Sequence, residues 1–273
     1  MPPTLLIEAL IGLVQQAGEL ILQVYRRDFG VSDKADASPV TEADWRAEAL
    51  ITPALRALLP GVPVVAEEAA AAGQAPAAGQ APAAAGLGAR FWLVDPLDGT
   101  REFVQRNGEF TVNVALIEQG RPVLGVVLAP ALGQLYAGAV GCCAFAQTGA
   151  DASTRRPLLT RLPPAEGLTV LASRSHGDQA TLNAFLADQH VARFRPAGSS
   201  LKLCLLAAGE ADLYPRFGRT MEWDIAAGQA VLEAAGGWVE DLQGRPLRYG
   251  KPGFENPDFV ARGRHADSAA GTS

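Results

Sequence analysis

Two acids, a glycine and a threonine fall together in Asp95-Pro96-Leu97-Asp98-Gly99-Thr100, directly after an apolar run ending at Val94. Carboxylates crowded this closely raise each other's pKa unless water or a cation takes up their charge. Hard oxygen ligands of this kind suit Mg²⁺, which keeps some of its waters and accepts substrate phosphate beside protein carboxylates. Asp-Gly is equally a common turn dipeptide, and Asp95 read alone fits a capping role, so the hexapeptide by itself leaves turn and metal site both open. Further acids extend the pattern: Glu67 and Glu68 close a short apolar run, Asp44 sits in a first helical turn, and Asp224 opens a segment rich in small residues. Each alone has an ordinary structural use, as solvated surface or helix cap. Strand ends and helix starts are also where α/β proteins build their sites.

The elements that must position these groups follow from the hydrophobic pattern. The N-terminal stretch TLLIEALIGLVQQAGELILQVYRR repeats apolar residues at helical spacing, carries Glu8 and Glu19, and lacks a basic leader. It is expected to be an amphipathic core helix, not a signal peptide or membrane span. A second helix follows with Thr41 as its N-cap and Asp44 in its first turn, ended by Pro60-Gly61. VPVVAEE reads as a short buried strand running into the two glutamates. Residues 69–88 repeat AAGQAP, contain no aromatic or charged residue, and are expected to form a mobile surface loop. Val94 is expected to end a strand, Pro96 to fix a turn, and Gly99 to permit tight passage into a helix beginning at Thr100.

From Phe91 the chain is β-rich, with FTVNVALIEQG, RPVLGVVLAP and QLYAGAVGCCAFA separated by turn signals, the pattern of a mostly antiparallel meander. After residue 166 strand and helix alternate, with one helix expected near Gln179–Gln189. The expected organisation is an α+β half over residues 1–155, an α/β half over 156–262, and a disordered tail over 263–273.

The 273 residues are 48% hydrophobic, ample for a sizeable core. A net charge of −6, with scattered basic residues, argues against a nucleic-acid or anionic-membrane surface. Any anion must be held locally. Cys142, Cys143 and Cys204 give neither a disulfide framework nor zinc spacing, which fits a reducing cytoplasm.

DPLDGT (Asp95 to Thr100) and WDIAAG (Trp223 to Gly228), in this order, resemble the two signatures of the inositol monophosphatase-like family of Mg²⁺-dependent phosphatases. KADASPVTEAD, DGTREFVQRNGEFTVNVALI, SRSH and GSSLKLCLLAAGEADLYPRFG extend the resemblance toward the branch of bisphosphate nucleotidases of CysQ type, across nearly the whole chain from Leu5 to Phe259. The resemblance implies an α/β (α+β layered) sugar-phosphatase fold with alternating layers of helices and two β-sheets. It implies hydrolysis of the 3'-phosphate of adenosine 3',5'-bisphosphate to AMP, and action on the sulfated form of that nucleotide. By the family pattern Glu67, Asp95, the Leu97 carbonyl, Asp98 and Asp224 would bind two or three Mg²⁺, and Asp44 with Thr100 would activate the attacking water. Such chemistry suits a phosphomonoester, whose hydrolysis needs both a nucleophile and charge neutralisation.

The same resemblance places Gly99, Thr100, His176, Ser199, Lys202, Arg216 and Asp224 around the substrate. Lys202 and Arg216 suit a 5'-phosphate as point charge and fork, although Lys202 also reads as a solvated helix residue and His176 as a loop donor. Lys34 and Glu68 are further candidates, each readable as plain surface. One departure stands out: relatives continue the paired acids with another acid where this chain has Ala69. Two rivals remain, inositol monophosphatase or fructose-1,6-bisphosphatase activity on the same chemistry, and a catalytically silent metal-binding regulatory protein. A small-molecule nucleotide partner, no nucleic acid, and a monomer or homodimer complete the expectation.

Overall fold

Leu6, Leu10, Val14, Ala17, Ile21 and Val24 recur at three- and four-residue spacing and form the buried stripe of a first helix, α1 (Pro3–Tyr25). The structure is a computed structural model that describes residues 1–33, 39–73, 87–173 and 179–264. After α1 the first part of the chain forms β1 (Val31–Asp33), β2 (Pro39–Thr41), α2 (Glu42–Leu58), β3 (Val64–Ala66), α3 (Glu67–Ala71), β4 (Arg90–Asp98) and α4 (Thr100–Val104). Then come β5 (Thr111–Glu118), β6 (Arg121–Ala129), β7 (Gln134–Ala139), β8 (Cys143–Thr148) and β9 (Arg156–Pro157). The remainder forms β10 (Leu168–Ser173), α5 (Gln179–Phe185), β11 (Val191–Ala197), α6 (Leu201–Ala207), β12 (Leu213–Arg216), α7 (Glu222–Ala234), β13 (Trp238–Asp241) and β14 (Phe259–Arg262).

Strands β3 to β9 pair in sequence order into a seven-stranded sheet. Only β3 and β4 are parallel; the rest is the antiparallel meander that the turn signals imply. β9 still pairs with β8 just past the expected division at residue 155. The second sheet has the order β11-β10-β12-β14-β13, with parallel pairs around β10 and antiparallel pairs to β14.

Alternation along β4 and β5 sorts side chains between two cores. Trp92, Val94, Val112, Val114 and Leu116 face α1 and α2, whereas Phe91, Leu93, Ala115 and Ile117 face α6 and α7. The second cluster continues through α6 and α7 into Leu171, Tyr214, Phe259 and Ala261 of the second sheet, whose far face meets α5 through Leu182, Phe185 and Leu186. The layers are therefore helices, sheet, helices, sheet, helix: an α/β fold with helices alternating with two sheets. α1 has the length and apolar composition to cross a membrane, but its stripe is packed against α2 and the first sheet.

Several local expectations change. β4 does not end at Val94; it runs to Asp98 through a register break between Asp95 and Asp98, because Pro96, lacking an N–H, is tolerated where ladder pairing lapses. Ala69 to Ala71 belong to α3 instead of a loop, and Leu87 is buried in the core. The remainder of the AAGQAP segment, at 74–86, lies outside the described residues, as does the tail from 265; Gly263 is buried and its N–H donates to the Asp212 carbonyl at 3.1 Å. The fifth helix stops at Phe185, short of Gln189.

The two sheets come together over α7, whose backbone lies against glycines of the first sheet. A Cβ on Gly125 would stand 2.2 Å from the Ala227 carbonyl oxygen and 2.8 Å from the Ala227 Cα. Backbone cannot yield as a flexible side chain can, so Gly125→Ala is expected to lower unfolding free energy by about 1–3 kcal/mol or more. Gly12, inside α1, has nothing within 4 Å of the same added atom, and Gly12→Ala is expected to raise stability by about 0.5–1 kcal/mol. Urea unfolding of the two variants measures both, and equal effects would refute the close approach.

Candidate active site

The parallel register of β3 on β4, with Ala66 opposite Val94, carries Glu67, just past the end of β3, to the side of Asp95. Asp95 shares a hydrogen bond with Glu67, and its Oδ1 accepts the Leu97 N–H at 3.0 Å. The bulge lets Asp95 face Asn113 and Asp98 face Thr111 on β5, so both acids reach the same end of the sheet. At Gly99 the chain turns with φ +85°, a left-handed conformation that also keeps its α-carbon within 3.4 Å, for an added Cβ, of Glu109 and Ser199. Gly99 is the N-cap of α4, which leaves Thr100 in the first helical position with its hydroxyl uncommitted to capping.

That hydroxyl lies 3.3 Å from Asp44 Oδ1 and 3.3 Å from the Leu97 carbonyl, either of which can accept its proton. Asp44 is fully buried, and the Thr41 N–H and hydroxyl donate to its Oδ2 at 2.9 and 2.8 Å. Thr41 is the expected N-cap of α2, and the reciprocal bonds with Asp44 make a capping box that fixes the carboxylate with Oδ1 turned to Thr100. Asp224 arrives from the opposite side, in the first turn of α7, where its Oδ2 accepts the Met221 N–H at 2.8 Å.

Burial, then the charges of Glu67, Asp98 and Asp224, push the Asp95 carboxyl well above the usual range. Asp224 is raised in the same way by burial and by Asp98 and Glu67. Asp98 is raised to about 6, mainly by burial, with the Lys202 ammonium and the Ser200 N–H pulling back. These acids are thus held together without enough cationic charge of their own, and the donor set is all hard oxygen, which fits Mg²⁺. Among the described residues no three Asp, Glu, His or Cys side chains form a ready cage for an ion.

The facing wall is basic. Lys202, buried in α6, donates to the carbonyls of Ala197 at 3.1 Å and Ser199 at 2.7 Å, and its ammonium lies 5.3 Å from the Tyr214 ring centroid. Burial lowers its pKa to about 8, although Asp98 opposes the shift. The solvated-residue reading of Lys202 is therefore set aside. Arg216 ends β12 and donates to the Arg219 carbonyl at 3.2 Å, while its buried Nε has no partner among the described residues. Ser199, with φ +43°, likewise leaves its Oγ unpartnered. Glu67, Asp95, Asp98, Thr100, Asp224 and the basic group Lys202, Arg216 and Arg219 line one cavity of about 270 Å³.

Of the other candidates, Glu68 is buried but not on the cavity wall. Lys34 and His176 lie outside the described residues. The structure also brings in groups that the sequence reading does not single out. The Ser200 N–H donates to Asp98 at 2.6 Å, and the Ser200 hydroxyl donates to Asn113 at 2.8 Å. Glu48 accepts the N–H groups of Glu68 and Ala69 at 2.8 and 2.9 Å, fixing the short helix that starts at Glu67. Two adjacent serines ahead of an apolar helix were the available signal for Ser200; nothing local marks Glu48.

Comparison with known proteins gives a consistent picture. The inositol monophosphatase family model matches residues 3–270. The 3'(2'),5'-bisphosphate nucleotidase CysQ of Escherichia coli (strain K12) is 45% identical over 250 residues, covering 90% of this chain and 95% of that one. The enzyme of the same name from Haemophilus influenzae is 31% identical over 260 residues, covering 94% and 93%. Among solved structures, CysQ of Bacteroides thetaiotaomicron, described as a bacterial member of the inositol monophosphatase family, superposes with a TM-score of 0.76 at 35% identity, covering 94% of this chain and 96% of that one. With its layered fold, its acidic cluster and a match along nearly its full length, the chain belongs to the inositol monophosphatase family.

Proposed function

We propose that this chain is a Mg²⁺-dependent 3'(2'),5'-bisphosphate nucleotidase that removes the 3'-phosphate of adenosine 3',5'-bisphosphate to give AMP and phosphate, and accepts the sulfated form of that nucleotide as well. The observation that carries the reading is the Thr100 hydroxyl within reach of both Asp44 and the Leu97 carbonyl, in the cavity that the acids share with Lys202 and Arg216. Glu67, Asp95, Asp98, Asp224 and the Leu97 carbonyl would hold the metal. Bound there, Mg²⁺ supplies positive charge against the phosphoryl oxygens and acidifies water.

The chain's own groups account for the remaining roles. Thr100 donates to Asp44 Oδ1, which leaves lone pairs on its oxygen to accept a proton from an attacking water; the threonine proton can pass on to Asp44. Asp44 stays oriented throughout, because Thr41 holds its other oxygen. The backbone N–H groups of Gly99 and Thr100 precede the first closed turn of α4 and are available to phosphate oxygens. Lys202, Arg216 and the Ser199 hydroxyl favour a substrate with a second anionic group, which distinguishes a nucleoside bisphosphate from a simple inositol phosphate. Three free cysteines agree with a cytoplasmic location.

Phosphate release from adenosine 3',5'-bisphosphate, inositol 1-phosphate and fructose 1,6-bisphosphate, with Mg²⁺ and with chelator, tests the assignment. The nucleotide is expected to turn over fastest and only with the metal; faster turnover of either sugar phosphate would overturn the substrate assignment, and no turnover of any would favour a silent binding protein. Asp95→Asn keeps shape and the acceptor for Leu97 but halves no neighbour's packing, so activity is expected to fall by more than about 100-fold, beyond the loss typical of groups that only support a ligand. Unfolding of the metal-free variant should show stability equal to or above wild type.

The raised Asp98 carboxyl, about 6 against a model-peptide 3.8, also sets a pH dependence for the metal-free protein. A folded-state pKa above the unfolded one favours the folded state fully below the unfolded value, and that contribution is lost as pH rises through the folded value. Between about pH 4 and pH 6 wild type is therefore expected to lose stability from this group, on the order of 1–3 kcal/mol. Asp98→Asn in chelator should melt above wild type at pH 8 and converge with it near pH 4. Calorimetry in which the variant melts no higher at pH 8 would contradict the cause assigned to the shift.

A further inference from the structure

Among the described residues the Asp224 carboxylate accepts one backbone N–H, that of Met221, in a site where like-charged neighbours drive it away. What fixes that N–H lies outside the cavity. Glu222, between Met221 and Asp224 in the chain, is fully buried, and its carboxylate accepts the N–H groups of Gly250 at 2.7 Å and Lys251 at 3.0 Å and the Lys251 ammonium at 2.7 Å. The same ammonium donates to Asn256 Oδ1 at 3.2 Å, and Asn256 Nδ2 donates to the Met221 carbonyl at 2.8 Å. The Asn256 N–H completes the link to the Thr220 carbonyl at 2.9 Å, and Met221 bridges Glu255 in antiparallel fashion.

We propose that Glu222, Lys251 and Asn256 form a clamp whose task is to position Asp224 for metal binding. The inference rests on the reading of Asp224 as a metal ligand. Two features separate this task from general stabilisation. A buried ion pair is weak evidence for stability, since removing two charges from water costs about what their attraction returns. And the bonds converge on one residue, Met221: the peptide whose N–H aims at Asp224 is fastened at the Thr220 carbonyl by the Asn256 N–H, and the Met221 carbonyl by the Asn256 side chain. Met221 offers α7 no Ser, Thr, Asp or Asn cap, so the start of this helix is fixed from the 248–256 segment instead. Lys251, Glu222 and Asn256 are thus positioning residues: none of them lines the cavity.

Glu222→Gln retains shape and one acceptor for the loop N–H groups but removes the charge that holds Lys251; Asn256→Ser removes the donor to Met221 and serves where the first variant does not fold. Titration calorimetry of the full chain with Mg²⁺ alone, alongside chelator-treated thermal unfolding, reads position and stability separately. Each variant is expected to bind Mg²⁺ roughly 10- to 100-fold more weakly while still unfolding cooperatively, and Lys251→Arg, which keeps the charge, is expected to retain wild-type affinity. Lower melting temperature with unchanged Mg²⁺ affinity in both would overturn the proposal and leave a structural role only. Asp224→Asn in parallel separates the two failures. If it weakens Mg²⁺ binding and the clamp variants do not, the clamp alone is refuted; if it binds as wild type does, the metal-ligand reading of Asp224 fails and the clamp with it.

Discussion

Repulsion among Glu67, Asp95, Asp98 and Asp224 is the constraint around which the rest of the molecule is arranged. Burial and mutual charge raise the carboxyls of Asp95, Asp98 and Asp224, so the fold must hold in place groups that would separate if free. It does so with backbone N–H groups, each borrowed from a different element. Leu97 donates to Asp95, Ser200 to Asp98 and Met221 to Asp224. The acids restrained in this way line the cavity.

The layered architecture follows from the same requirement. β3 and β4 deliver Glu67, Asp95 and Asp98 to one end of the sheet because they run parallel, side by side, with Ala66 opposite Val94. α7 delivers the fourth, Asp224, and it reaches the end of β4 because Gly125 and Gly138 let its backbone settle directly on β6 and β7. The basic residues Lys202 and Arg216 come from α6 and β12. Acidic and basic residues therefore line one cavity to which elements of both sheets contribute.

Much of this was legible in the residues. The Thr41 cap with Asp44 follows from type and spacing within one helical turn, and the structure has it as expected. The antiparallel meander follows from turn signals between apolar runs, and the fold class from the alternation after it. The hexapeptide at Asp95 was ambiguous between turn and site, and the structure makes it neither a simple turn nor a cap: it is a bulged strand end followed by a left-handed glycine. The bulge was hidden because Pro96 suggests a turn equally well. For Lys202 the sequence left a substrate contact and a solvated helix residue both open, because helix position alone does not say which face is buried; every residue of α6 is.

Local chemistry, then, was determined by the sequence: which residues are acids, where helices begin, which runs alternate, and that no basic run or cysteine framework competes with a compact acidic site. Those properties act over a few residues, where spacing is geometry. Tertiary structure alone decided the partners. Ser200 meets Asp98 across 102 positions, Thr100 meets Asp44 across 56, and Lys251 closes on Glu222 across 29. A serine or a glutamate has many ordinary uses, and only the packing of α7 between two sheets selects the one each has here.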